Sequence, residues 1–342
     1  MCEYKFRNGR KCEEEAFEKS KYCILHIELP EAEGSEEFKR INELKEEKVK
    51  KKVKDKDFNF DGARLFEVDF SGMEIEGDLN FQYADIRKNA LFRGTNISRG
   101  VWFERANISG KASFERANIG GFSWFKGANL GGGISFERAN IGGGISFEET
   151  NIKGCAWFKG INIRGDAWFE RASIKEYASF EGLKIKGKLI FKDTKFKIPK
   201  TQEEACRKAK IICEKLRDQE EADYYFYREM EAKRKQKNTI IRTLELPVQY
   251  IFGYGTYWWG VLILWFSVVF GCAFLYWQGN AVVGASSFQE CVYFSIVTIT
   301  TLGYGDYEPV KGIYQLLAAS EAVFGTFMWA AFIAIFARKY MR

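Results

Sequence analysis

From Phe70 to Phe191 a phenylalanine recurs every 11 residues, twelve times without a break. Five positions after nearly every one stands an aliphatic residue: Ile75, Ile86, Ile97, Ile108, Ile119, Leu130, Ile141, Ile152, Ile163, Ile174 and Ile185. Two positions before the aliphatic one is a small residue, as in Ala106, Ala117, Ala128 and Ala139. An 11-residue period also suits a right-handed coiled coil, but two features exclude it here. On a helix the Phe and the following Ile would point more than ~120° apart, leaving no single seam. Glycine falls in almost every repeat, among them Gly110, Gly120, Gly131, Gly142, Gly154 and Gly165, and each would cost a helix about 1 kcal/mol. Alternating five- and six-residue steps instead predict short strand faces joined by tight glycine-rich corners.

Phrases such as Phe103-Glu104-Arg105-Ala106-Asn107-Ile108 resemble the pentapeptide-repeat family. The resemblance implies a right-handed quadrilateral β-helix, a four-sided solenoid with Phe and Ile/Leu stacked inside. Residues 61–197 would make about six coils, a rod about 30 Å long at the strand spacing. Some members of that family mimic DNA with an acidic surface. Residues 61–197 hold 17 acidic and 21 basic side chains, and pairs such as Glu104-Arg105 and Glu137-Arg138 cancel locally, which argues against mimicry. A rigid spacer or docking scaffold, with an unknown ligand or protein partner as the other reading, fits such a rod.

The last third of the chain has a different pattern. No charge occurs between Glu245 and Glu290, and Trp258 to Trp277 is almost purely apolar. That length of helix, about 30 Å, crosses a bilayer. A second span runs from Gly312 to Ala337 with Glu321 as its only charge. Between them, Ser287 to Thr300 has the length of a short re-entrant helix whose negative C-terminal end would face a cation. It leads into Thr298-Ile299-Thr300-Thr301-Leu302-Gly303-Tyr304-Gly305-Asp306. This stretch resembles the selectivity filter of the two-transmembrane potassium channels, with Leu302 where that family favours Val. The resemblance implies K+ coordination by the Thr301 hydroxyl and by carbonyls of Thr301, Leu302, Gly303 and Tyr304, with Gly305 completing the filter. Thr298, Thr300 and Asp306 would support it. Gly325, 20 residues after Gly305, falls where that family carries its inner-helix hinge.

One filter per chain implies a homotetramer. Gly253-Tyr254-Gly255 repeats the tripeptide without the threonines and reads as an interfacial turn. Glu321 admits two readings, a hydrogen-bonded structural carboxylate behind the pore helix or a gating group. Lys233, Arg234, Lys235, Lys237 and Arg242 precede the first span, and Arg338, Lys339 and Arg342 follow the second. Both flanks, and hence both termini, are expected on the cytoplasmic side of the plasma membrane. The competing functions are a non-selective cation channel and a membrane-anchored scaffold with a degenerate pore.

A net charge of +6 is what a positive-inside membrane protein shows and too weak to argue a nucleic-acid partner. Cys2, Cys12, Cys23 and His26 are spaced C-x9-C-x10-C-x2-H, and His26 is the one histidine in the chain. Three thiolates and an imidazole make a closed tetrahedral set for structural Zn2+. The spacing resembles small Cys3His zinc modules such as those of the plant WRC class. No nucleophile–base set or phosphate-binding loop points to an enzyme. The expected order is a metal module (1–28), a charged helical linker (29–60), the solenoid (61–197), a helical linker (198–242) and the pore domain (243–342). Within the last, the spans are expected near 257–277 and 312–338. Thr201 and Glu204 predict a capping box at the start of the second linker.

Overall fold

The computed structural model describes residues 1–6 and 9–340. They fall into two compact units, Met1–Lys233 and Arg234–Arg342.

In the first unit the 11-residue period becomes a four-sided solenoid: one seven-stranded and three six-stranded parallel sheets. Each strand is two residues long and pairs with the strand 22 residues on, as Asn129 with Asn151 and Leu130 with Ile152. Phe103, Phe125 and Phe147 stack at 5.2 and 5.1 Å, and Phe114 lies 4.8 Å from Phe136. That is the strand spacing, about 4.8 Å, so one ring per coil makes a continuous column. The two Phe columns meet edge to face, as at Phe125–Phe136 (5.7 Å, 87°), an arrangement the ring quadrupole favours.

Corners follow the phenylalanines. Ala106 N–H donates to the Phe103 carbonyl at 3.1 Å, and Arg105, the second of the two residues between them, has φ +55°. This is the positive φ that a type II turn requires. At several of the other corners a glycine serves a different purpose, close approach to the adjacent coil. A Cβ on Gly120 or Gly142 would fall 2.2 Å from a carbonyl oxygen of the adjacent coil.

Both ends of the solenoid are covered. At the start, Arg64 N–H donates to the Leu25 carbonyl at 2.7 Å. Helix α1 (Glu36–Lys54), capped by Ser35, buries Phe38 and Ile41, and Phe38 meets Phe66 edge to face at 5.0 Å. At the far end lie α2 (Pro199–Lys215) and α3 (Gln219–Lys235). Phe191 N–H donates to the Tyr225 hydroxyl at 3.0 Å and Arg228 to the Thr194 carbonyl at 2.9 Å. The expected capping box is not formed. The helix starts at Pro199 after Ile198, with no side-chain cap, and Thr201 Oγ1 accepts from Ala178 N–H at 3.2 Å. Pro199 already removes one orphan donor of the helix start, whereas a bare strand edge leaves buried N–H groups unpaired.

Within this cap Glu229 is buried and accepts from Lys210 (2.8 Å), Arg207 (3.1 Å) and Lys233 (2.7 Å). Burial alone would raise its pKa. Hydrogen bonds from Lys210, Lys233 and Arg207 outweigh that and hold it at about 2.

The second unit contains α4 (Thr239–Leu244), α5 (Leu246–Tyr250), a turn at Gly253–Gly255, then α6 (Trp258–Gln278), α7 (Phe288–Ile299) and α8 (Ile313–Tyr340). Helices α6 and α8 are long and apolar enough to cross a membrane. Arg338 and Lys339 lie in the last turn of α8, while Arg342 is outside the described residues. The Gly253–Gly255 tripeptide is a single 3-10 turn closed by Thr256 Oγ1 donating to the Gly253 carbonyl at 2.7 Å.

Candidate ion pathway and metal centre

The stretch Thr301 to Gly305, the expected filter, directly follows α7 and its C-cap Thr300. Ser287 begins that helix with a capping box: its hydroxyl accepts from Glu290 N–H, and the Glu290 carboxylate accepts from Ser287 N–H at 2.8 Å. The other end closes in a Schellman motif. Thr301 N–H donates to the Thr298 carbonyl and Leu302 N–H to the Val297 carbonyl, both at 3.0 Å. The left-handed position of that motif is ordinarily glycine. Here it is Thr301, with φ +58°, a costly conformation for a β-branched residue.

Positive φ recurs at every second position, at Gly303 (+56°) and Gly305 (+79°), and not at Leu302 or Tyr304. Left-handed positions at every second residue are what a backbone needs if it is to aim successive carbonyls at one axis, as a row of ion-coordinating oxygens requires. Thr300 Oγ1 donates back to the Ile296 carbonyl at 2.6 Å, and the Tyr293 side chain of α7 lies near Asp306.

Glu321 is buried at the meeting of three helices. Tyr276 of α6 donates to it at 2.8 Å, and Ser295 of α7 donates to its other oxygen. Ser295 Oγ also lies 3.0 Å from the Val269 carbonyl. One turn on, α8 passes so close to the end of α7 that a Cβ on Gly325 would sit 1.9 Å from the Ile299 carbonyl oxygen. Glu321 and Gly325 on α8 thus face Ser295 and Ile299 on α7, each pair four residues apart. Sequence reasoning picked out Glu321 and Gly325 but missed Ser295 and Tyr276. The matching four-residue spacing is the signal, and it has meaning only once the two helices are set side by side.

The Cys3His residues come together in the first unit. The sulfurs of Cys2, Cys12 and Cys23 and a ring nitrogen of His26 all lie within 4.8 Å of one another. A tetrahedral ion with metal–sulfur bonds near 2.3 Å sets S···S at about 3.8 Å and S···N at about 3.6 Å. Cys12–Cys23 is 4.0 Å, Cys2–His26 Nδ1 3.5 Å and Cys23–His26 Nδ1 3.1 Å, so the set fits a metal with small adjustments.

The imidazole is already in the required tautomer. His26 Nε2 lies 2.9 Å from the Asp61 carbonyl, which can only accept, so Nε2 carries the proton and Nδ1 keeps its lone pair toward the sulfurs. Burial lowers the His26 pKa, which favours that neutral ring. Burial also pushes the Cys12 thiol up to about 12, and a bound cation is the partner that makes several thiolates tenable there.

Residues 261–342 match the family model for ion channels. Residues 60–107 and 103–151 match the model for pentapeptide repeats, described as nine copies. Neither a curated protein nor a solved structure matches the chain. The chain therefore joins a pentapeptide-repeat solenoid, with a Cys3His cluster at its N-terminal side, to a C-terminal ion channel domain.

Proposed function

We propose that four copies of this chain form a potassium-selective channel, with the filter 301–305 contributed once by each copy. The observation that carries this reading is the alternation of positive φ at Thr301, Gly303 and Gly305 directly after the pore helix. Four such strands supply stacked rings of carbonyls, closed below by the Thr301 hydroxyls, that replace the water shell of K+. The C-terminal ends of four α7 helices add negative potential where the ion dehydrates. Leu302 and Tyr304 are 57% and 68% exposed in a single chain. Large apolar side chains beside a filter are natural packing surfaces for neighbouring copies.

The flanking Lys and Arg residues support a plasma-membrane protein with both termini in the cytoplasm. The solenoid would then act on the cytoplasmic side as a scaffold or as the sensing part of the gate. Glu321 takes the structural role, tying the inner helix to the pore helix, and Gly325 is the hinge candidate beside it. For the Cys3His site we assign Zn2+, which suits a closed set of three thiolates and one imidazole and would serve folding rather than chemistry.

The test is flux from liposomes under a K+ gradient, repeated with Na+. Wild type passes K+ and excludes Na+, and Gly303→Ala, which puts a Cβ on a left-handed residue, loses that discrimination. Equal K+ and Na+ flux in wild type would leave a channel but end the selectivity claim.

A further inference from the structure

We propose that the Cys3His site is a metal-conditional cap: Zn2+ held there fixes the first coil of the solenoid, and Asp61, Gly62 and Tyr4 position the fourth ligand, His26. This rests on the zinc assignment above and adds what the ion does for the rod.

The metal module and the first coil are joined by a chain of contacts. His26 is held by the Asp61 backbone carbonyl at 2.9 Å. The Asp61 carboxylate accepts from the Tyr4 hydroxyl at 2.7 Å. The Tyr4 ring lies flat on the His26 ring, centroids 4.0 Å apart and planes 16° apart. Gly62, the next residue, has φ +69°, and a Cβ there would sit 2.1 Å from the Tyr4 ring. Tyr4 therefore occupies the space that glycine leaves, clamped between the coil and the imidazole.

Leu25, inside the Cys23–His26 turn, takes the Arg64 N–H at 2.7 Å. Cys2, Cys12, Cys23 and Leu25 share one buried cluster with Phe58, Phe60 and Phe70 of the first coil. A second strand edge would otherwise be left open at this end, and repeat rods need an atypical capping unit there. Among its described residues the module has no helix and a single Lys5–Lys11 bridge, so the ion supplies the constraint that holds its loops in place.

Linkage makes the coupling reciprocal. If the ion orders the coil, the coil must tighten the ion, and outer groups that orient a metal-bound histidine are worth about 10- to 100-fold in affinity. Metal exchange does not demand unfolding, because Cys12, Cys23 and His26 line an open cavity of about 640 Å³.

The experiment uses the full chain in detergent or nanodiscs. Zn2+ content is measured first, then Zn2+ affinity by competition with a chromophoric chelator, with hydrogen exchange followed in the loaded and stripped forms. Stripping should raise exchange at the Phe60, Gly62 and Arg64 amides by about tenfold or more, while Phe136 and Arg138 in the middle of the rod stay unchanged. Tyr4→Phe should weaken Zn2+ about tenfold although it alters no ligand, and Gly62→Ala should weaken it further.

Purified protein without Zn2+, and with no uptake of it, ends the zinc assignment itself. Zn2+ that binds and leaves with no change at Phe60–Arg64 overturns the cap. So does a Tyr4→Phe protein that exchanges faster in both forms while its Zn2+ affinity matches wild type, since that is a packing role alone. Should Gly62→Ala fail to fold, Tyr4→Phe carries the test.

Discussion

The solenoid and the channel domain treat apolar surface in opposite ways. In the solenoid Phe81, Phe92, Phe103, Phe114, Phe125, Phe136 and Phe147 are wholly buried within one chain, and each coil covers its neighbour. In the channel domain Phe266, Phe270, Phe274, Ile333 and Phe336 are exposed along the spans, as are Leu302 and Tyr304 at the filter. One region completes its core alone. The other leaves its surfaces to lipid and, on our proposal, to three further copies. The same residue type should therefore carry very different energetic weight in the two places.

The largest effect expected separates them directly. Phe136→Ala empties a slot between Phe114 at 4.8 Å and Phe158 at 6.2 Å, where neighbouring coils cannot collapse without losing strand pairing. It should destabilise the solenoid by roughly 3–5 kcal/mol, read as a lower denaturation midpoint. Phe270→Ala, on α6, removes a ring that is 52% exposed. Lipid tails replace the lost contacts, so the channel should lose less than about 1 kcal/mol, read by thermal melting in nanodiscs. A comparable loss at Phe270 would break the contrast and mark that face as buried between copies.

What could be read in the sequence follows the same division. The period from Phe70 to Phe191 specifies the solenoid because every coil makes the same demand on the same position. The left-handed positions after α7 are partly legible because few residue types tolerate φ above zero, and two of the three, Gly303 and Gly305, are glycine. The ends of the rod are not periodic, and there the reading failed. Thr201 looked like a helix cap and instead satisfies Ala178 N–H, a demand that arises only where the last coil stops. The residues around Glu321 were half visible, since an isolated charge in an apolar span stands out and a serine partner such as Ser295 does not. The Cys3His cluster was legible from spacing, but Asp61 and Tyr4, which contact His26 or each other, have no marker in the sequence.

A sharper comparison sets neutral stacking against charge within the first unit. Glu229 sits among three cations that are 43%, 20% and 37% exposed. Breaking a fully buried ion pair costs about 3–5 kcal/mol, but these cations can turn to water, so Glu229→Gln should cost about 2 kcal/mol at pH 6. The carboxylate is held at about 2, below its ordinary value near 4.3. Its stabilisation is therefore whole above that ordinary value and is lost as pH falls through about 2. The difference between Gln variant and wild type, followed by hydrogen exchange in α2 and α3, should shrink toward zero over that window. A difference that persists at pH 2 would mean the side chain matters through packing.

The smallest effect tests whether the outside of the rod contributes as its inside does. Asn151 donates to Asn129 at 3.0 Å, Asn129 to Asn107 at 2.7 Å and Asn107 to Asp85 at 2.6 Å. Asp85 can only accept when ionised, so the ladder has a direction: each amide gives its NH2 toward Asp85 and its oxygen toward Asn151. Asn129→Ala removes two such bonds at a half-buried site where water can replace part of them, and should cost about 1 kcal/mol. Asn129→Asp separates a directed ladder from simple size and polarity. The carboxylate still accepts from Asn151, yet it faces the Asn107 oxygen with no proton to offer, and Asn107 cannot turn over without abandoning Asp85. At pH 7 Asp should therefore be worse than Ala, and at pH 3, where a protonated carboxyl can donate, it should approach wild type. Ala worse than Asp at neutral pH would mean that the ladder has no fixed direction, and that the rod's stability resides almost entirely in its phenylalanine columns.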